Sequence, residues 1–323
     1  LIALENLYLD NNLITEIEKN AFENLNKLTL LNLTNNRINR IKNLTFIHLI
    51  NLKQLDLSEN KIEFIKSYFF KNLTHLMRLN LSLNYISSIE IESFNDLISL
   101  VELDLSSNQI FKLESRLFTN LKKLVYFYAG SNLLLNSKLN FVINQSYVHH
   151  IILKNNKLIK INKNLFSSHS KLSKIDLSFN FIYEIESDSF NIFNSLMELN
   201  FENNKIRSLN NSLINLSSLI FLNLKSNLIE TIDFKELSGL RSLTELFLDN
   251  NKIKTFLNHN YPVYFYETIE LLSIRNTSSR FLFNIEKMRK LKSFYYSLGD
   301  FEYIQNNLTF PKNFYNLELS NFK

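Results

Sequence analysis

The chain has 323 residues, a net charge of +5, no cysteine, three glycines and two prolines. The missing cysteine excludes disulfides, thiolate metal sites and cysteine nucleophiles, and three isolated glycines cannot build a phosphate-cradling loop. With so little Gly and Pro, linker-like stretches are missing, which argues against separate globular domains in a chain whose length alone would suggest about two.

The chain repeats itself. LKQLDLSEN (Leu52 to Asn60) recurs as LMRLNLSLN (Leu76 to Asn84) and LVELDLSSN (Leu100 to Asn108). The frame LxxLxLxxN ends at Asn12, Asn36, Asn60, Asn84, Asn108, Asn132, Asn156, Asn180 and Asn204, always 24 residues apart, then at Asn227 and Asn251. Two residues after each Asn stands an apolar residue (Ile14, Ile38, Ile62, Ile86, Ile110), and five after it another (Ile17, Ile41, Ile65, Ile89, Leu113). Ten after it comes a Phe: Phe22, Phe46, Phe70, Phe94, Phe118, Phe166, Phe190.

Each spacing has a physical meaning. In LxL two leucines flank a polar residue, the pattern of a short half-buried strand. One coil cannot bury its leucines alone, but stacked coils share a continuous core. The Asn stands where the chain leaves the strand, and its amide can serve backbone groups that the turn leaves unpaired. The Phe fills the bulkier outer side. Strands at about 4.8 Å against a wider back predict a curved right-handed solenoid, α/β in class, of about 14 coils and one domain over residues 1–323.

This frame resembles the leucine-rich-repeat family. A 24-residue repeat with a late Phe is similar to the "typical" subclass found in extracellular proteins such as Toll-like receptor, Slit and chaoptin ectodomains. The resemblance implies a parallel sheet lining a concave face, and recognition of a partner there rather than catalysis.

Three regions depart from the frame. The sixth repeat reads LVYFYAGSN, with Ala129 at a leucine position, Gly130 after it and Ser137 in an apolar slot. The twelfth, IELLSIRNT, has Thr277 where Asn belongs and a two-residue insertion; the thirteenth, LKSFYYSLG, ends in Gly299. Residues 261–323 are therefore read as degenerate repeats. The aromatic run Tyr261 to Tyr266 lies here, with Tyr261 at the Phe slot. Neither end carries a polar cap, so the chain reads as a fragment of a longer protein.

Nothing in the sequence points to an active site, cofactor or metal. His149 and His150 are adjacent, and adjacent strand residues face opposite ways, so they cannot chelate one ion together. The third, fifth and seventh residues of LxxLxLxxN should line the concave face. Acidic residues there are Asp10, Asp56, Glu102, Asp104, Asp176, Glu198, Glu202, Glu245 and Asp249, against Arg78, Lys154, Lys174 and Lys225. A net acidic face disfavours nucleic acid despite the basic chain. The candidate binding residues are Tyr126, Tyr128, His150 and Ile152, with Phe221 and Phe247 further along; they are either protein-contact anchors or cross-strand neighbours that stack on one another.

Asn-x-Ser/Thr sequons stand at Asn43, Asn72, Asn144, Asn210, Asn215, Asn276 and Asn307, and at Asn32 and Asn80 on the strands. Roughly seven would arise by chance in so Asn-rich a chain, so they say little about secretion. No apolar run is long enough for a spanning helix, so any membrane attachment lies in a segment outside this chain. The expected role is the ectodomain of a cell-surface receptor or adhesion protein that binds a protein ligand or partner receptor, with a homodimer possible. The lack of cysteine keeps open a cytoplasmic scaffold or adaptor, or the regulatory domain of a larger enzyme.

Overall fold

The computed structural model describes residues 2–136, 147–163, 165–166, 171–257, 264–277, 287–298 and 314–321. The chain divides into two units, Leu1–Lys157 and Leu158–Lys323, each a stack of parallel coils. In the first unit the LxL segments form three-residue strands: Asn6–Tyr8, Leu30–Asn32, Gln54–Asp56, Arg78–Asn80, Glu102–Asp104, Tyr126–Tyr128 and His150–Ile152. They pair in this order, parallel and in register at the repeat spacing. The central residue of each interior strand is buried and its two neighbours are half-buried or exposed, the alternation that the sequence predicts.

The second unit continues the pattern with Lys174–Asp176, Glu198–Asn200, Phe221–Asn223 and Glu245–Phe247. Its last three strands, Leu271–Thr277, Ser293–Leu298 and Asn316–Asn321, are six or seven residues long. Glu245 pairs with Leu271, 26 residues on, which accommodates the two-residue insertion. Thr277 replaces the column asparagine there and is buried, with no hydrogen-bond partner for its hydroxyl. A hydroxyl cannot supply an amide's two donors, and in these strands the ladder runs on where the other coils turn. Seven strands in the first unit and seven in the second match the about 14 that the repeat count suggested, and about eleven of them belong to regular turns.

The column asparagines knit each coil to the one before. Asn60 donates Nδ2 to the carbonyls of Leu33 (2.9 Å), Leu57 (3.2 Å) and Ser58 (3.0 Å), while its Oδ1 accepts from the Ile38 amide at 2.9 Å. Asn84, Asn108, Asn132, Asn204, Asn227 and Asn251 repeat the arrangement. The residue before the column Asn is left-handed in every regular coil; Glu59, Leu83, Ser107 and Phe179 have φ of 54–55°. No glycine serves there, so each such residue costs the backbone about 1 kcal/mol.

Behind the sheet, short parallel pairs join Glu16–Ile17 to Arg40–Ile41 and Phe64–Ile65 to Ser88–Ile89 in the first unit. Lys160–Ile161 pairs with Glu184–Ile185, and Thr231–Asp233 with Thr255–Leu257, in the second. The Phe column is buried and stacked: Phe22–Phe46 at 5.8 Å, Phe46–Phe70 at 6.3 Å and Phe70–Phe94 at 6.0 Å, and Phe166–Phe190 at 6.4 Å in the second unit. Burying a Phe contributes about 1.5–3 kcal/mol, so this spine and the leucines make the core. Tyr261 lies outside the described residues.

Candidate functional site: the open face of the sheet

The fifth residue of the frame has a backbone role that sequence reading did not reveal. Asp56 Oδ1 accepts from the Ser58 amide at 2.9 Å, Asp104 from Ser106 at 2.8 Å, Asp176 from Ser178 at 2.9 Å and Asn223 from Lys225 at 3.0 Å. Asn32, Asn80 and Asn200 do the same. These side chains cap the turn that follows each strand. The seventh position, capped in this way, is partly withdrawn from the face: Ser58, Ser82 and Ser178 are buried.

Asp249 is likewise buried rather than part of an open acidic face. Its Oδ1 accepts from Ser273 Oγ at 2.6 Å, from the Arg275 amide at 2.8 Å and from Arg275 Nε at 3.2 Å. Arg275 also pairs with Glu318 and lies over the Tyr295 ring. Basic residues on the face are paired across strands as well: Arg78 with Glu102 at 4.0 Å, Lys174 with Glu198, and Lys225 with Asp249 at 3.3 Å.

Where the fifth residue is Tyr8, Tyr128, Ile152 or Phe247, no such oxygen is available for the cap, and the last three are the apolar candidates. The register sets Tyr126 beside His150 and Tyr128 beside Ile152. The Tyr126 and His150 rings meet edge to face at 5.0 Å and 79°. All four residues are half-buried. Burial, and then the Glu102 carboxylate, holds the Tyr128 phenol above its usual range, so it stays a neutral donor. In the second unit Phe221 and Phe247 meet at 5.4 Å, with the Lys225 ammonium 4.6 Å from the Phe247 ring centre. The aromatic residues therefore do stack on one another, and still leave a partly open surface.

Beside the Tyr126 patch the face of the first unit is hollowed. A depression of about 330 Å³ is lined by Tyr8, Asn32, Asp56, Arg78, Asn80, Glu102 and Asp104 among others. The sequon residues Asn32 and Asn80 lie in it, half-buried, and donate to Asp10 at 3.3 Å and Asp56 at 3.1 Å. Asn43, Asn72, Asn210, Asn215 and Asn276 are exposed; Asn144 and Asn307 lie outside the described residues. Among the described residues no group of three or more His, Asp or Glu side chains is placed to hold a metal, and no helix is long and apolar enough to cross a membrane.

No curated protein sequence matches the chain. Among solved structures, a leucine-rich-repeat protein of Leptospira interrogans superposes with a TM-score of 0.82 at 26% identity, over 98% of this chain and 79% of that one. The APL1 leucine-rich repeat domain gives a TM-score of 0.81 at 19% identity, over 99% of this chain and 81% of that one. A chain of the Drosophila Toll–Spatzle complex gives 0.64 at 20% identity, over 91% of this chain but 41% of that one. The latter two likenesses concern the fold alone. The leucine rich repeat family matches residues 2–62, 50–110, 74–134, 170–227 and 195–253, and with the coil geometry above, the chain belongs to that family.

Proposed function

We propose that this chain is a non-catalytic protein-recognition module whose partner binds the open face of the sheet, centred on Tyr126, Tyr128, His150 and Ile152. One observation carries the reading. At these coils the side-chain cap of the turn, with a net value of about 0.5–1.5 kcal/mol, is given up for apolar groups that face outward. Tyrosines there offer rigid area with a polar tip, the usual make-up of an anchor. The acidic side chains beside them, Glu102 and Asp104, favour a partner with a basic rim. Phe221 and Phe247 form the second-choice surface.

The biological setting we infer is the ectodomain of a cell-surface receptor of Toll-like innate-immune type, or of an adhesion protein, located outside the cell. The repeat subclass supports this, as does the fold likeness to Toll, which is seen in complex with Spatzle. The lack of cysteine supports a second reading as an intracellular scaffold. The test is a screen of the immobilised chain against secreted and cell-surface proteins. A partner should bind the native chain and lose roughly 30- to 800-fold in affinity with Tyr126→Ala plus Tyr128→Ala, circular dichroism unchanged. A partner that binds both forms equally places the site elsewhere.

A further inference from the structure

Four neighbouring coils of the first unit carry one chemistry on the open face. Their third-position residues are Leu30, Gln54, Arg78 and Glu102. Their fifth-position residues are Asn32, Asp56, Asn80 and Asp104, so amide and carboxylate alternate. The register sets Gln54 beside Arg78 and Arg78 beside Glu102, with the fifth-position residues as a second row two residues on. Strands about 4.8 Å apart spread each row over about 14 Å. Tyr8 stands beside Asn32 in the first strand, exposed. Together these side chains line the depression of about 330 Å³. That volume lies at the small end of ligand sites, which span about 300–1,000 Å³.

The grid is held stiff. Each fifth-position residue caps its own turn, accepting from the amide two residues on. Asn32 and Asn80 each give one N–H to a carboxylate, of Asp10 and Asp56. Much hydrogen-bonding capacity remains. Among the described residues, the second N–H of Asn32 and of Asn80, Asp104 Oδ2, the Gln54 amide and the Tyr8 hydroxyl have no partner. Among the same residues Arg78 pairs with Glu102 alone, loosely at 4.0 Å, which leaves most of its N–H donors open. Donors and acceptors therefore alternate in fixed places before a ligand arrives, which lowers the ordering cost of binding.

We propose that this depression binds a neutral saccharide, a second ligand whose site does not rest on the patch at Tyr126. Each sugar hydroxyl both donates and accepts, and neighbouring hydroxyls match the planar fork of an amide, a carboxylate or a guanidinium. Gln54, Arg78 and Asp104 present all three on successive strands. The Tyr8 ring offers a face on which a sugar's C–H groups pack. Other ligand classes fit worse. An apolar group finds Leu30 and the Tyr8 ring, while Leu31, Leu55 and Leu79 beneath are buried. A phosphate, sulfate or uronate meets the carboxylates of Asp56, Glu102 and Asp104 against the one guanidinium of Arg78. A cationic segment meets Arg78 within the grid, and Asp56 has both oxygens engaged, by Ser58 and Asn80.

Isothermal titration of the full chain with neutral tetrasaccharides of glucose, mannose, galactose and N-acetylglucosamine tests this. Asn32 and Asn80 lie in sequons, so the chain is made without glycosylation, which keeps the depression open. At least one tetrasaccharide should bind with Kd on the order of 0.1–1 mM. Asp104→Asn keeps the turn cap and turns the open acceptor into a donor. It and Gln54→Ala should each weaken binding about 3- to 10-fold with the thermal melt kept. Should Asp104→Asn misfold, Gln54→Ala reads the same site. Tyr126→Ala plus Tyr128→Ala should leave the saccharide affinity within about 2-fold, which separates this site from the protein-contact one. No binding of any tetrasaccharide up to about 20 mM would overturn the proposal. So would binding indifferent to Asp104→Asn and Gln54→Ala, or tetra-arginine or polygalacturonate bound in the depression more tightly than every neutral sugar.

Discussion

The Asn108 side chain donates to the carbonyl of Leu81, one coil back, at 2.9 Å, and its Oδ1 accepts from the Ile86 amide at 2.9 Å. It also donates to Leu105 and Ser106 within its own turn, each at 3.1 Å. Asn108→Ala should cost about 1–3 kcal/mol, because it strands buried backbone groups. Asn95→Ala removes an exposed side chain and should cost less than about 0.5 kcal/mol. Equal denaturation midpoints for the two variants would remove the structural role assigned to the column.

Ser107 stands one residue earlier, left-handed at φ 54°. A β-branched residue tolerates that conformation worst and glycine best. Ser107→Val should lose about 1–2 kcal/mol, and Ser107→Gly should match the native chain or gain up to about 1 kcal/mol. Urea melts decide the order; a Val variant as stable as the Gly variant would show that this backbone strain does not matter.

The glycines differ in the same testable way. A Cβ on Gly239 would come within 1.3 Å of the Ile214 carbonyl oxygen, a backbone atom of the preceding coil, whereas one on Gly130 would meet the Lys154 carbonyl at 3.2 Å. Gly239→Ala must push two coils apart and should cost about 3 kcal/mol or more, against less than about 1 kcal/mol for Gly130→Ala. Similar melting temperatures for the two would contradict the packing described at Gly239.

Glu236 gives a pH signature. It is 8% exposed and accepts from the Asn211 amide at 3.1 Å. Burial raises its pKa, and that amide bond only partly offsets the rise. A carboxyl whose folded pKa lies above its unfolded value favours folding most in its protonated form. Its contribution is complete below the unfolded pKa and fades as pH rises through the folded one. Glu236→Gln keeps the acceptor and removes the charge, so it should flatten stability across the carboxylate range and stabilise the chain at neutral pH. An unchanged pH profile of the urea midpoint in Glu236→Gln would show that the group does not titrate with folding.

The repeat frame was legible because it is a local constraint stated many times over. Alternation put Leu55, Leu79 and Leu103 inside, and the Asn and Phe columns announced their spacing. The candidate aromatic residues were legible as well, since position in the frame alone brings Tyr126 beside His150. The two rings stack on each other as cross-strand neighbours and still leave an edge open.

What the tertiary structure decided depends on neighbours one coil away. Asp249 reads as a surface acid until Ser273 and Arg275, from the next strand, close over it. Thr277 reads as a weak substitute for Asn, and only the longer strands show how the chain proceeds without the amide. Gly239 is unremarkable until Ile214 is placed against it. Periodicity fixes which face a residue occupies, because that follows from the backbone of its own coil; its burial, charge partners and clearance follow from the side chains set beside it from the next.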